Sequence, residues 1–290
     1  MQNSGTGRTG HPIFRAIWLV SNFLLIVALI ASLASGAWEF SVREYLRGFS
    51  DAVVPEASSP LDKVEAILAW MRSGPPRMEL TQPSAVSAHD PQETLNYRQL
   101  LAVCGSATNA FLNLSRSTGL EARRLLLLTP ERTTMHVVAE VNLNGRWVVV
   151  DPAYRAVLRD AKGNLLTRRE LQNPAIFEEA TSLIPNYTKL YSYQSFAHIR
   201  VSLIPYRGFQ IRQKLDRYLP GWDEYFDWSL LFERRSFLFL FISVNSLIFM
   251  MMMRVVLAWV ADHRLRVSRF HFRENLARAT AAFFTSPEIK

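Results

Sequence analysis

"HVVAEVNLNGRWVVVDPA", residues 136–153, is two runs of strand-forming residues arranged around an Asn-Gly pair. Asn144-Gly145 signals a two-residue hairpin, because the favoured type I′ turn needs positive φ at both central positions. Such a turn sets Leu143 opposite Arg146, and the same register sets Asp151 opposite Val138. Side chains alternate across a strand, so Val138 shares a face with His136. His136 and Asp151 then form a diagonal cross-strand pair whose backbones lie about 7–8 Å apart. An imidazole and a carboxylate bridge that distance. Glu140 lies on the same face and reads either as a neighbour of the pair or as a solvated strand residue. "EARRLLLL" (121–128) reads as a third strand, which gives a small antiparallel sheet.

Upstream, "LLAVCGSATNAF" (100–111) carries the only cysteine of the 290 residues. From Cys104, the residues Ala107, Ala110, Phe111 and Leu114 fall on one apolar stripe, and Gly119 suits a C-terminal cap. Cys104 therefore opens a helix, where unpaired backbone N–H groups and the helix dipole favour an anionic sulfur. A lone cysteine is ordinarily a small buried hydrophobe. Here it is accompanied by the partners a thiolate nucleophile needs: a base, His136, and an acceptor that orients the base, Asp151. Gln99 and Tyr97 are candidates to stabilise an oxyanion beside the backbone N–H of Cys104.

Further upstream, "PEASSPLDKVEAILAWMRSGPP" (55–76) reads as a helix capped at Ser59, with Pro60 in its first turn. Val64, Ile67, Leu68 and Met71 line one face, and Gly74-Pro75-Pro76 end it. Residues 77–92 read as a loop, with a solvated His89. His198 reads as a structural or surface residue. No histidine or cysteine spacing suits a metal, and no cofactor motif is present. After residue 160 the pattern mixes a short helix with strand-like pieces, and "YRGFQIRQKLDRYLPGW" (206–222) reads as amphipathic. Asn113-Leu-Ser and Asn186-Tyr-Thr match the glycosylation sequon and read as chance matches.

The net charge of +8 invites a nucleic-acid reading, but its distribution excludes one. Residues 39–235 hold 24 Lys and Arg against 22 Asp and Glu, so the surplus sits at the two ends. Those ends flank two apolar runs, "AIWLVSNFLLIVALIASLASGAW" (16–38) and "SFLFLFISVNSLIFMMMM" (236–253). At 1.5 Å per residue the first crosses a hydrocarbon core of roughly 30 Å, and the second is just long enough. The first reads as an uncleaved anchor; a signal peptide cleaved near Ser35-Gly36-Ala37 is the alternative. Trp222, Tyr225, Phe226 and Trp228 read as an aromatic belt before the second run. The arginine bias places both ends, 1–15 and 254–290, in the cytoplasm and residues 39–235 outside it.

The cysteine-to-hairpin region resembles the transglutaminase-like superfamily, which shares the fold of papain-type cysteine proteases. "VCGSATNAFLNLSRSTGLEARRL" resembles that family's cysteine-helix block, and "HVVAEVNLNGRWVVVDPAYR" its histidine-aspartate block. "VEAILAWM" resembles its leading helix, so the likeness covers about residues 60–155. It implies an α+β fold, a cysteine helix with an antiparallel sheet, here flanked by two transmembrane helices. It also implies Cys104 as nucleophile, His136 as base then acid, and Asp151 as orienting carboxylate, with Trp147, Gly145 and Arg123 at structural positions. Val138, Glu121 and Ala153 depart from the family's usual Trp, Pro and Thr, which bears on substrate preference. The expectation is a thiol acyl-transfer enzyme on a bacterial inner membrane, with its domain in the periplasm. Its substrate would be a peptide or protein amide, or an envelope polymer, and the bilayer its other partner. The alternative is a non-catalytic module that binds or scaffolds within a cell-envelope membrane complex.

Overall fold

A computed structural model describes residues 12–55, 59–76, 91–130, 134–188, 190–198, 214, 217–219, 230, 231 and 234–265. The chain divides into two units, residues 34–241 and residues 1–33 with 242–290.

The larger unit is built on the hairpin. Strands β1 (Ala122–Leu128), β2 (Thr134–Leu143) and β3 (Arg146–Asp151) are antiparallel, with β4 (Ala156–Val157) beside β3 and β5 (Phe196–Ala197) beside β1. Asn144 and Gly145 both have positive φ, 56° and 88°, as a type I′ turn requires. Gly145 N–H donates to Asn142 Oδ1 at 2.8 Å. Leu143 pairs with Arg146 and Ala139 with Val150, the register expected from the turn. One departure matters to the site. The β1–β2 register slips between Leu127 and Leu128, which pair with His136 and Thr134 and leave Met135 as an extra residue. A bulge of this kind re-aims the adjacent side chain, here His136.

Helices cover one face of the sheet. α1 runs Pro12–Val53, α2 Pro60–Arg72, α3 Pro91–Asn96 and, after a 3₁₀ turn at Arg98–Ala102, α4 Cys104–Ser117. Ser59 caps α2 as expected: its side chain accepts from Asp62 N–H, and the Asp62 carboxylate accepts from Ser59 N–H, each at 3.2 Å. Gly119 (φ 82°) closes α4, its N–H bonding Arg116 O while Leu120 N–H reaches back to Ser115 O. The apolar stripes of α2 and α4 meet Ala139, Val141, Val148 and Val150 of the sheet. Val42 and Leu46 of α1 join this core, so the helix outlasts the apolar run 16–38 because its continuation is amphipathic. Full burial of a side chain such as Phe111 is worth about 1.5–3 kcal/mol. The other face packs Leu125, Leu127, Val138 and Val149 against residues 158–193, which include α5 (Arg168–Leu171) and α6 (Pro174–Ser182).

α7 covers Arg235–Val260 and passes into a π-helical turn at Ala261–Leu265. By length and composition, α1 and the 235–265 helix are candidate membrane spans, with mean hydropathy of 2.4 and 2.1 in their most apolar windows. Leu19, Phe23, Ile30, Phe249 and Met252 are exposed along them, as lipid-facing side chains would be. In the smaller unit Arg254 lies over the Trp18 ring at 3.3 Å. The aromatic belt at 222–228, most of 206–222, and His89 lie outside the described residues.

Two glycine substitutions have opposite expected signs. A Cβ at Gly145 or Gly48 meets nothing within 4 Å, so only backbone effects remain. Gly145→Ala forces an L-residue into the left-handed region and is expected to destabilise by about 1–2 kcal/mol. Gly48→Ala, exposed within α1, is expected to stabilise by up to about 1 kcal/mol. Denaturant melts of the two variants check both signs.

Candidate active site

Asp151, at the end of β3, is fully buried and has four donors. Its Oδ1 accepts the N–H groups of Ala153 (3.1 Å) and Tyr154 (3.2 Å), so the turn after β3 wraps around it. Oδ2 is 2.7 Å from His136 Nε2 and accepts the Tyr187 hydroxyl at 3.0 Å. Burial, with Tyr193 and Asp151 nearby, holds the Tyr187 phenol well above its usual range, so it stays protonated and donates.

His136 is fully buried, and its orientation follows from that bond. An ionised carboxylate only accepts, so Nε2 carries a proton and Nδ1 is left facing elsewhere. Nδ1 has no hydrogen-bond partner. Cys104 acts on the ring electrostatically. Burial alone would lower the imidazole pKa. The Asp151 carboxylate, by charge and hydrogen bond, and then Cys104 outweigh it and raise the value to about 9. Tyr191 lies on the ring face, centroids 4.2 Å apart and planes within 2°, and Tyr154 meets it edge-on at 5.9 Å.

Cys104 is the first residue of α4, is partly accessible, and packs against the cluster of Leu126, Leu128, Val137 and Ala197. Two contacts hold the helix start to the sheet. Thr108, one turn in, donates to Val137 O at 3.0 Å, next to His136, and Arg124 of β1 reaches Gly105 O at 3.4 Å. The structure thus brings Cys104, His136 and Asp151 together. Gln99 and Tyr97 lie at the 3₁₀ turn leading into the cysteine, both exposed, Tyr97 at 62 %. Glu140 is occupied elsewhere: Arg123 bonds it at 2.7 Å and lies over Trp147 at 4.2 Å. His198 is buried, with Nδ1 2.7 Å from Arg124 O. Among the described residues no group of His, Cys, Asp and Glu has a metal-holding arrangement.

Four residues around the site escaped the sequence reading. Tyr154, Tyr187 and Tyr191 surround the pair. Arg155, at a left-handed φ of 53°, donates to the carbonyls of Met71, Pro75, Leu101 and Ala153. It joins the end of α2, the turn before Cys104 and the turn around Asp151. The one available signal was the tyrosine density of "NYTKLYSY" (186–193).

Residues 47–152 match the family model for the transglutaminase-like superfamily. No curated protein and no solved structure matches the chain.

The histidine predicts a pH dependence of stability. Its folded pKa, about 9, exceeds the ordinary value of 6.5, so its contribution is fully present below about pH 6.5 and lost as pH rises through 9. The expected loss is about 3 kcal/mol, given roughly 1.4 kcal/mol per unit. Chemical unfolding at pH 6.5 and 9.5 measures it, and Asp151→Asn is expected to flatten the dependence.

Proposed function

From the premise that residues 47–152 form a transglutaminase-like domain, we propose that this protein is a membrane-anchored thiol acyl-transfer enzyme acting on amide bonds. The observation that carries the reading is the His136 ring, bonded through Nε2 to a buried carboxylate and coupled to a partly accessible thiol at a helix start. In this reading Cys104 reacts as a thiolate beside an imidazolium. Sulfur attacks the amide carbonyl carbon, and the carbonyl oxygen becomes an oxyanion. Backbone N–H groups of the first turn of α4, which lack intrahelical acceptors, are placed to receive it, with Gln99 and Tyr97 as candidate helpers. The C–N bond then breaks, His136 Nδ1 gives its proton to the departing amine, and a thioester remains. Water gives its proton to His136, attacks the thioester, and releases a carboxylic acid and the thiolate. An amine in place of water yields a new amide. Hydrolysis is the default, since water is present unless a site excludes it. Neither path calls on a cofactor.

Substituting the site separates an enzyme from a binding module. Cys104→Ala is expected to abolish turnover, and His136→Ala to lower it by about 10²–10⁴-fold. The alkaline limb of kcat/KM is expected near pH 9, where the imidazolium is lost. Unchanged turnover and phenotype in Cys104→Ala would instead favour a non-catalytic envelope module.

In the same proposal, 16–38 and 236–253 are the membrane-crossing stretches, residues 39–235 face the periplasm, and 1–15 and 254–290 remain in the cytoplasm. The two apolar helices and the terminal arginines support it. A membrane-impermeant maleimide applied to intact cells is expected to label Cys104. Labelling confined to lysed cells would place the domain on the opposite side.

A further inference from the structure

We propose that Tyr191 is a positioning residue for the His136–Cys104 pair: its ring holds the imidazole in plane and favours the cationic form by face-to-face contact. The proposal rests on the acyl-transfer reading only in requiring that His136 act on the thiol.

Three observations support it. The Tyr191 and His136 rings are nearly parallel, 2° apart at 4.2 Å, so the aromatic face covers the imidazole face. The negative face of a phenol ring attracts a cation placed over it, most strongly away from water. Tyr191 is 6 % exposed and His136 is fully buried. Finally, Tyr191 is held by its own neighbours. Tyr187 meets it edge-on at 5.7 Å and is itself tied to Asp151, and the Tyr154 ring lies tilted by 36° against Tyr187 at 4.3 Å. The Tyr154 hydroxyl is 3.1 Å from Thr188 Oγ1 and accepts Thr188 N–H, which fastens Thr188 to the turn after β3. The segment that supplies the ring is therefore anchored on the same carboxylate that orients the histidine.

The charged and titratable groups around His136 are distributed as follows. Asp151 of β3 and Cys104 of α4 raise its affinity for the proton, and Arg155 acts on Asp151 by charge. Tyr154 and Tyr187 pack against this site, and Tyr193 lies near Asp151. Glu140, further along β2, is neutralised by Arg123. All of these groups sit on other residues, which a substitution at Tyr191 leaves unsubstituted.

The experiment follows alkylation of Cys104 by iodoacetamide against pH, in the full-length protein in lipid nanodiscs, with thermal melts run in parallel. In the unsubstituted protein the rate is expected to step up near pH 9, where loss of the imidazolium frees the thiolate. Tyr191→Phe keeps the ring and is expected to keep the step. Tyr191→Leu removes it and is expected to move the step down by about 0.5–1.5 pH units. If Tyr191→Leu does not fold, Tyr191→Met, which fills more of the space, carries the same expectation. A lower melting temperature with an unmoved step overturns the proposal, since a merely structural ring would behave so. His136→Ala is the control: the same profile as the unsubstituted protein would overturn the acyl-transfer reading itself. A profile that His136→Ala abolishes but Tyr191→Leu leaves unmoved overturns only the role of Tyr191.

Discussion

A carboxylate that never meets water must find all its hydrogen bonds inside the protein, and Asp151 imposes that requirement on everything around it. An unpaired buried charge costs several kcal/mol, so the fold has to deliver donors to both oxygens. It draws them from three places: the turn that follows β3, the facing strand β2, and Tyr187, 36 residues further along. Each donor is fixed in return. The turn cannot open without stripping Oδ1, and His136 cannot rotate without leaving Oδ2 short of a donor. The second layer follows from the first. Tyr187 brings Tyr191 onto the imidazole, and Arg155 ties the turn to the end of α2 and to the residues before Cys104.

The cysteine helix meets this arrangement at one end. Small residues open α4, with Gly105, Ser106 and Ala107 after Cys104, and they let the helix start lie close to β2. Thr108 then bonds the backbone of Val137, one residue from His136. Short contacts thus hold the start of α4 against the sheet beside the histidine. The Met135 bulge completes the geometry by changing the aim of the strand at the histidine itself. Cys104 stays partly accessible, while His136 beside it is fully buried.

What could be read in the sequence was whatever rests on local periodicity or a short motif. The Asn-Gly turn fixes the β2–β3 register, and that register alone puts Asp151 within reach of His136. The caps and buried faces of α2 and α4 followed from spacing alone. The bulge at Met135 left no signal, because an extra residue in a strand is compatible with the same composition. The tyrosines were hidden for a different reason: 187 and 191 reach the site through irregular backbone, where no period links position to face. Arg155 was opaque too, since its role lies in four carbonyls from separate parts of the chain. Glu140 shows the limit of face arguments. It shares the face of His136, yet Arg123, directly across on β1, engages it first.

The middle of α4 carries a second constraint, and it explains residues that looked out of place. Asn109 and Asn113 are buried in a helix otherwise packed with apolar side chains. Arg234, just before α7, places its Nε and Nη2 on Asn113 Oδ1, at 3.2 and 2.6 Å, and its Nη1 on Glu39 at 2.9 Å. Glu39 also accepts from Arg43 and Ser236, and Asn113 donates to Asn109. Glu39 directly follows the apolar run 16–38, and Ser236 opens the second run. Apolar contacts alone discriminate poorly between one register and the next. A buried ion pair discriminates strongly, because in any other register it leaves a charge uncompensated, at a cost of about 3–5 kcal/mol. The network therefore fixes Glu39 and Ser236, beside the two runs, against Arg234 and the helix that begins at Cys104. Asn113 is also the first residue of the Asn-Leu-Ser sequon. Its amide nitrogen donates to Asn109 and its oxygen is held by Arg234, so the side chain that resembles a glycan acceptor serves as a connector in the core.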